Sequence, residues 1–178
     1  MGFPDPPLAD EAVMLRPLGM EDVPDIVRAC NDPLVPRYVP VVPVPYTEAH
    51  GRAFVERSSQ PGDEVNLAIA DRESAALLGA IGFSHKQSDH AIADIGYWLA
   101  PEARGRGAAT RAVRLLSRWV LTERDVARLQ LHTDPENTAS QAVALRAGFT
   151  REGVLRASFV IRGERKDNVS FSLLPSDI

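Results

Sequence analysis

The chain has 178 residues, 44% hydrophobic and 25% charged, which fits one ordinary globular domain with a real core rather than a disordered polymer. Its formal charge of −4 argues against a general nucleic-acid binder, which would be basic. Cys30, the only cysteine, excludes an internal disulfide; His50, His85, His90 and His132 lack zinc-ligand spacing, so no metal is expected.

In chain order, residues 1–10 read as a proline-rich tail without a core pattern, and residues 11–178 as the domain. The start lacks the basic and apolar segments of a signal peptide. No run approaches the roughly 18 apolar residues of a membrane span. The expectation is a soluble, cytoplasmic protein with no membrane partner.

Val13–Leu18 is a short predicted strand, and "MEDVPDIVRACND" a helix with Ile26, Val27 and Cys30 near one face. The following "PLVPRYVPVVPVPYT" carries Pro33, Pro36, Pro40, Pro43 and Pro45. Proline removes donors and fixes φ, so the segment reads as an apolar loop, neither helix nor central strand. Thr47 caps a second helix, "EAHGRAFVERSSQ". Three strands come next, over 64–71, 76–84 and 91–100. Their short polar connectors, "RESA" and "HKQSDH", predict an antiparallel meander. In the third strand Ile95, Tyr97 and Leu99 share one face, and Asp94, Gly96 and Trp98 the other.

Ala109, Val113, Leu116 and Val120 then repeat at helical spacing. "RLQLHT" alternates as a strand, turning Leu129, Leu131 and Thr133 one way and Arg128, Gln130 and His132 the other. "PENTASQAVALRAGF" is a helix closed by Gly148, and the chain ends in two strands around "RGER". The order β-α-α-β-β-β-α-β-α-β-β gives a mixed sheet with helices, class α+β.

Between the third meander strand and the long helix stands "PEARGRGAATRAV". A strand running through glycines into a helix is an anion-site arrangement. The first helical amides lack internal partners, the dipole is positive there, and glycine lets backbone approach an anion. Arg104, Arg106 and Arg111 add fixed charge. No Gly-Lys-Ser/Thr follows for a P-loop, and Thr110 and its neighbours stand where a dinucleotide fingerprint needs a third glycine. A tight turn with solvated arginines is the simpler alternative.

Arg104-Gly-Arg-Gly107-Ala-Ala109 resembles the pyrophosphate signature of the GNAT superfamily of N-acetyltransferases, Gln/Arg-x-x-Gly-x-Gly/Ala. "IGYWLAPEARGRG" resembles that superfamily's fourth strand and following loop, and "HTDPENTASQAVALRAGF" its next strand and helix. "REGVLRASFVIRGERKDNVSFSLL" is similar to the C-terminal hairpin of the RimJ/RimL-type branch, the ribosomal-protein N-terminal acetyltransferases and their relatives. The resemblance covers roughly residues 12–175. It implies a mostly antiparallel six- to seven-stranded sheet with about four helices, splayed between strands 4 and 5. It also implies acetyl transfer from acetyl-CoA, as cosubstrate, to a primary amine on a protein N-terminus or a small molecule.

In that light the pyrophosphate is held by Gly105, Gly107, Ala108, Ala109 and Thr110 with Arg104 and Arg106. Backbone near Trp98 and Leu99 binds the pantetheine arm and polarises the thioester carbonyl. Asn137 and Ser140, three apart at a helix start, share a side. The resemblance puts Asn137 on the cofactor and the Ser140 hydroxyl near its sulfur, as donor to the leaving thiolate. A helix cap and a surface hydroxyl are the alternatives. Two departures stand out: Ala144 replaces a tyrosine many members use as the acid, and Ser158 replaces a glutamate that ribosomal-protein acetyltransferases can carry.

Some group must take the proton an alkylammonium loses. His132 is the first candidate, since histidine titrates in the useful range, and Asp94 on the facing strand the second. Asp134 and Asp167 come behind them. Tyr38, Tyr46 and Phe159 flank the acceptor mouth or pack into the core. Besides an N-terminal acetyltransferase, the sequence allows an antibiotic or small-amine detoxifying enzyme and a non-catalytic acyl-CoA-binding module. No nucleic-acid partner is expected, and a homodimer is slightly favoured over a monomer.

Overall fold

Apolar central strands, alternating flanking ones and helical spacing between them build one twisted sheet with helices on both faces. The computed structural model describes residues 2–60, 62–85, 91–161 and 163–178; most of the "HKQSDH" connector and Arg162 of "RGER" lie outside them. The elements run β1 (Leu8–Ala9), β2 (Val13–Pro17), α1 (Val23–Cys30), α2 (Leu34–Tyr38), α3 (Glu48–Ser58), β3 (Glu64–Asp71), β4 (Leu77–His85) and β5 (Ile92–Leu99). After these come α4 (Ala108–Glu123), β6 (Arg128–Thr133), α5 (Thr138–Arg146), β7 (Thr150–Ile161) and β8 (Glu164–Leu173).

Among the described residues eight strands form the sheet, in the order β1-β2-β3-β4-β5-β6-β8-β7. Every neighbouring pair is antiparallel except β5 and β6, which run parallel across the α4 crossover. The α+β class and the meander of β3, β4 and β5 are as expected. Two elements were not. The strand count exceeds six to seven because Leu8–Ala9, within the supposed tail, pairs with Leu15 and Met14. The proline-rich loop contains α2. Its Pro36 sits in the first turn, where a helix leaves amides unpaired in any case, so the missing donor costs little.

Two apolar layers sandwich the sheet. On one face Leu15, Leu67, Ile69, Phe83 and Phe171 meet Val113, Leu116 and Val120 of α4. On the other, Ala68 and Leu77 meet Ile26 and Cys30 of α1, Val55 of α3 and Val35 of α2. Burial pushes the Cys30 thiol up to about 12, so it is an inert core group.

Candidate active site

β5 and β6 pair only at Ile92↔Arg128, Ala93↔Leu129 and Asp94↔Gln130. Past that point β5 stays with β4 as far as Leu99↔Gly79, and β6 stays with β8 as far as Thr133↔Val169. The sheet therefore opens in a V between Gly96–Leu99 and the end of β6. The Ala100 N–H donates to Leu78 O at 2.9 Å. By antiparallel alternation, even-numbered residues of β5 turn their backbone groups to β4, while Tyr97 and Leu99 turn theirs to the opening. The Trp98 backbone, expected to line the cleft, is thus spent on Ala80 of β4. Leu99 O accepts from Arg104 Nη2 at 3.1 Å, and the Leu99 N–H faces the gap.

At the foot of the V the chain enters α4 through Gly105 (φ 73°) and Gly107 (φ 81°). A Cβ at either would meet nothing within 4 Å, so glycine is required there by the left-handed backbone and not by crowding. The Arg111 N–H donates to Gly107 O at 3.1 Å. The amides of Ala108, Ala109 and Thr110 lie ahead of that first helical bond, while their side chains are buried beneath. An open groove of about 1020 Å³ runs from Gly105, Gly107 and Thr110 along α4, lined by Arg114, Arg118 and Arg146 and also by Asp10, Glu11 and Glu123. These features fit a diphosphate with an extended nucleotide arm.

The arginines divide differently from the expectation. Arg104 is bound to Asp32 at 2.6 Å, which ties the loop to the segment before α2. Arg111 pairs with Asp10 at 2.9 Å and with Glu11, which clamps the N-terminal segment to α4. Arg106 is exposed at the loop itself.

On the α4 side of the opening, Asn137 caps α5: its Oδ1 accepts the Ser140 N–H at 3.1 Å. Ser140 Oγ in turn accepts from the Tyr97 hydroxyl at 3.1 Å. Burial pushes the Tyr97 phenol above its ordinary value. Nothing local in the sequence marks Tyr97, which shares the core-facing alternation of Ile95 and Leu99.

On the opposite face, His132 Nδ1 stands 3.6 Å from Asp94 Oδ1. Its Nε2 lies 3.4 Å from Ser170 Oγ of β8. Ser170 donates to Glu152 Oε2 at 3.4 Å, Ser172 to Glu152 Oε1 at 2.9 Å, and Arg128 to Glu152 Oε2 at 2.5 Å. The Arg128 hydrogen bond holds the Glu152 carboxyl below the usual range against the opposing effect of burial. Glu152 and Ser170 were not anticipated; the alternation of β8 carried the only signal.

The weaker candidates are engaged elsewhere. Asp134 accepts the Glu136 N–H at 2.7 Å, and Asp167 the Ala157 N–H at 2.8 Å. Ser158 donates to Leu155 O at 3.1 Å. Tyr46 is core, its phenol pushed up to about 12 by burial. Tyr38 is half-buried under the Arg37 guanidinium, and Phe159 stays exposed on β7.

A mixed sheet that opens at its parallel pair, over a glycine-led helix start, defines an acyl-CoA-dependent acyltransferase. The acetyltransferase (GNAT) domain profile matches residues 12–150, and the chain belongs to the GNAT acetyltransferase family. It is 29% identical over 171 residues, 94% of this chain and 95% of the relative, to the uncharacterized N-acetyltransferase p20 of Bacillus licheniformis. It is 28% identical over 165 residues, 89% of this chain and 83% of the relative, to a spermidine N(1)-acetyltransferase of Escherichia coli. RimL, a ribosomal L7/L12 α-N-protein acetyltransferase solved with coenzyme A, superposes with a TM-score of 0.84 at 20% identity, covering 97% of this chain and 99% of that one. The chain is an acetyl-CoA-dependent N-acetyltransferase. No described helix is long and apolar enough to cross a membrane.

Proposed function

We propose that the chain acetylates a primary amine, a protein N-terminus or a small amine such as a polyamine, by direct attack with both substrates bound. Acetyl-CoA supplies the activated acetyl group. The observation that carries the reading is the division of the opening into two chemically different faces. One face carries Tyr97 and Ser140 beside the α4 loop; the other carries Asp94 and His132.

The amides of Ala108, Ala109 and Thr110, with Arg106, hold the pyrophosphate, and the groove that opens from them along α4 takes the nucleotide arm. The Leu99 N–H meets the carbonyl oxygen where negative charge develops. His132, steadied by Asp94, takes the proton the amine must lose, and Ser140 hydrogen-bonds the departing sulfur. Asn137 is already the cap of α5, so any contact it makes with the cosubstrate falls to its Nδ2 group.

Two acceptor classes are supported. The likeness of part of the chain to a ribosomal-protein-serine acetyltransferase supports a protein N-terminus, and the likeness of most of the chain to a spermidine acetyltransferase supports a polyamine. CoA release is measured with free-N-terminal peptides, with the same peptides blocked and lacking lysine, and with spermidine. Turnover on free peptides alone assigns a protein N-terminus, and turnover on spermidine alone a small amine. No turnover on any arm overturns both acceptor classes.

A further inference from the structure

Ser140 has the geometry of a relay. It occupies the first turn of α5, its N–H goes to Asn137 Oδ1, and its Oγ is the acceptor of the Tyr97 hydroxyl. An oxygen that accepts one hydrogen bond becomes a stronger donor through its own hydrogen, because chained hydrogen bonds polarise one another. Tyr97 is anchored from both sides: its ring packs on the α4-side core, and its backbone lies in the β5 ladder at the edge of the V. Ala144, one turn further along α5, is fully buried and without a hydroxyl.

We propose that Tyr97 is a positioning residue that acts through Ser140: its donated hydrogen bond fixes the Ser140 rotamer and strengthens the bond Ser140 offers to the thiolate of CoA. The proposal rests on Ser140 facing the sulfur. No proton is relayed. As the C–S bond breaks its electron pair stays on sulfur, the amine's proton leaves on the opposite face toward His132, and the phenol keeps its own proton. A raised phenol pKa suits this role, since Tyr97 stays a donor across the working pH range.

The test uses the full chain saturated with CoA and reads the thiol ionisation of bound CoA from thiolate ultraviolet absorbance against pH. In the wild type the bound thiol should titrate about one pH unit below free CoA. Y97F should recover a large part of that difference, and S140A all of it. The double variant Y97F/S140A should equal S140A, because a residue that works only through Ser140 has no effect once Ser140 is gone.

If Y97F shifts the thiol equally in the wild-type and S140A backgrounds, Tyr97 acts on its own and the relay is wrong. If Y97F titrates as wild type, the proposal also falls. If S140A titrates as wild type, the sulfur-facing assignment of Ser140 falls and takes the relay with it, while acceptor turnover is unaffected as evidence for the enzyme. Replacing the tyrosines with 3-fluorotyrosine covers an unfolded Y97F. That more acidic phenol should lower the bound thiol further, and no change would overturn the role.

Discussion

His132 on β6 meets Asp94 on β5, Nδ1 to Oδ1 at 3.6 Å, at the last rung before the two strands separate. The sheet's own geometry creates the contact. Asp94 is opposite Gln130 in the ladder, and His132 is the next residue of β6 on the same face. The carboxylate therefore steadies the imidazole at the lip of the opening, on the face away from Tyr97 and Ser140.

Removing that imidazole should cost most where the amine is still protonated. His132→Ala is expected to lower kcat about 100-fold near neutral pH, the usual scale for a general base. The loss should shrink at high pH as solvent deprotonates the amine, and acetyl-CoA affinity should stay near wild type. The check is a pH–rate profile on the amine that turns over best, beside calorimetric binding. A profile parallel to wild type would remove His132 from the base role.

Glu152 reaches His132 through Ser170 while held by Arg128 and Ser172. A nearby carboxylate favours imidazolium; Arg128 offsets part of that charge, and Asp94 acts from the other side. Glu152→Gln should move the acidic limb of kcat/KM down and lower kcat only a few-fold. Glu152→Ala, which also strands Ser172, should lower kcat further. In the His132→Ala background the shift should vanish; its survival would mean that Glu152 works through another group.

The phosphate loop gives a sharper test. Arg104 and Arg111 already serve carboxylates, so Arg106 is the exposed guanidinium of the Gly105–Gly107 loop. Arg106→Glu combined with Gly107→Glu should raise the acetyl-CoA Kd by at least about 100-fold, by setting anions against helix-start amides. The ligand-induced rise in thermal stability should disappear with it. Binding equal to wild type would move the phosphates elsewhere.

Why some of this was legible and some was not follows from range. β6 was readable from its local alternation and the meander from its short polar connectors, and the Arg104–Ala109 spacing carried the cofactor loop. Leu8–Ala9 escaped because two residues hold no period. α2 escaped because Pro36 looks like a breaker until it lies in a first turn. Arg104 looked like a phosphate ligand because Asp32, its partner, lies 72 positions away. Trp98 was assigned to the cleft because a strand's sequence does not say which neighbour its amides face. Tyr97–Ser140 and His132–Ser170 are pairings across 43 and 38 positions, visible only once the sheet is assembled.

Stability should depend on a pair outside the site. Asp22 is 4% exposed and takes two bonds from Arg16, at 2.7 and 2.8 Å, and one from the Gly19 N–H at 2.9 Å. Burial alone would raise its carboxyl, but Arg16 and the amide outweigh it and hold it below 3.8. A carboxyl lowered by folding contributes stability that is full above about 3.8 and drains away as pH falls through the lower folded value. Asp22→Asn leaves the partly buried Arg16 charge with only the weaker attraction of Glu21, at a cost of about 3 kcal/mol at neutral pH. Urea unfolding of both proteins should show that gap at pH 7 and a narrowing one below about pH 4. A gap constant from pH 7 to pH 3 would mean that Asp22 contributes by packing, not by charge.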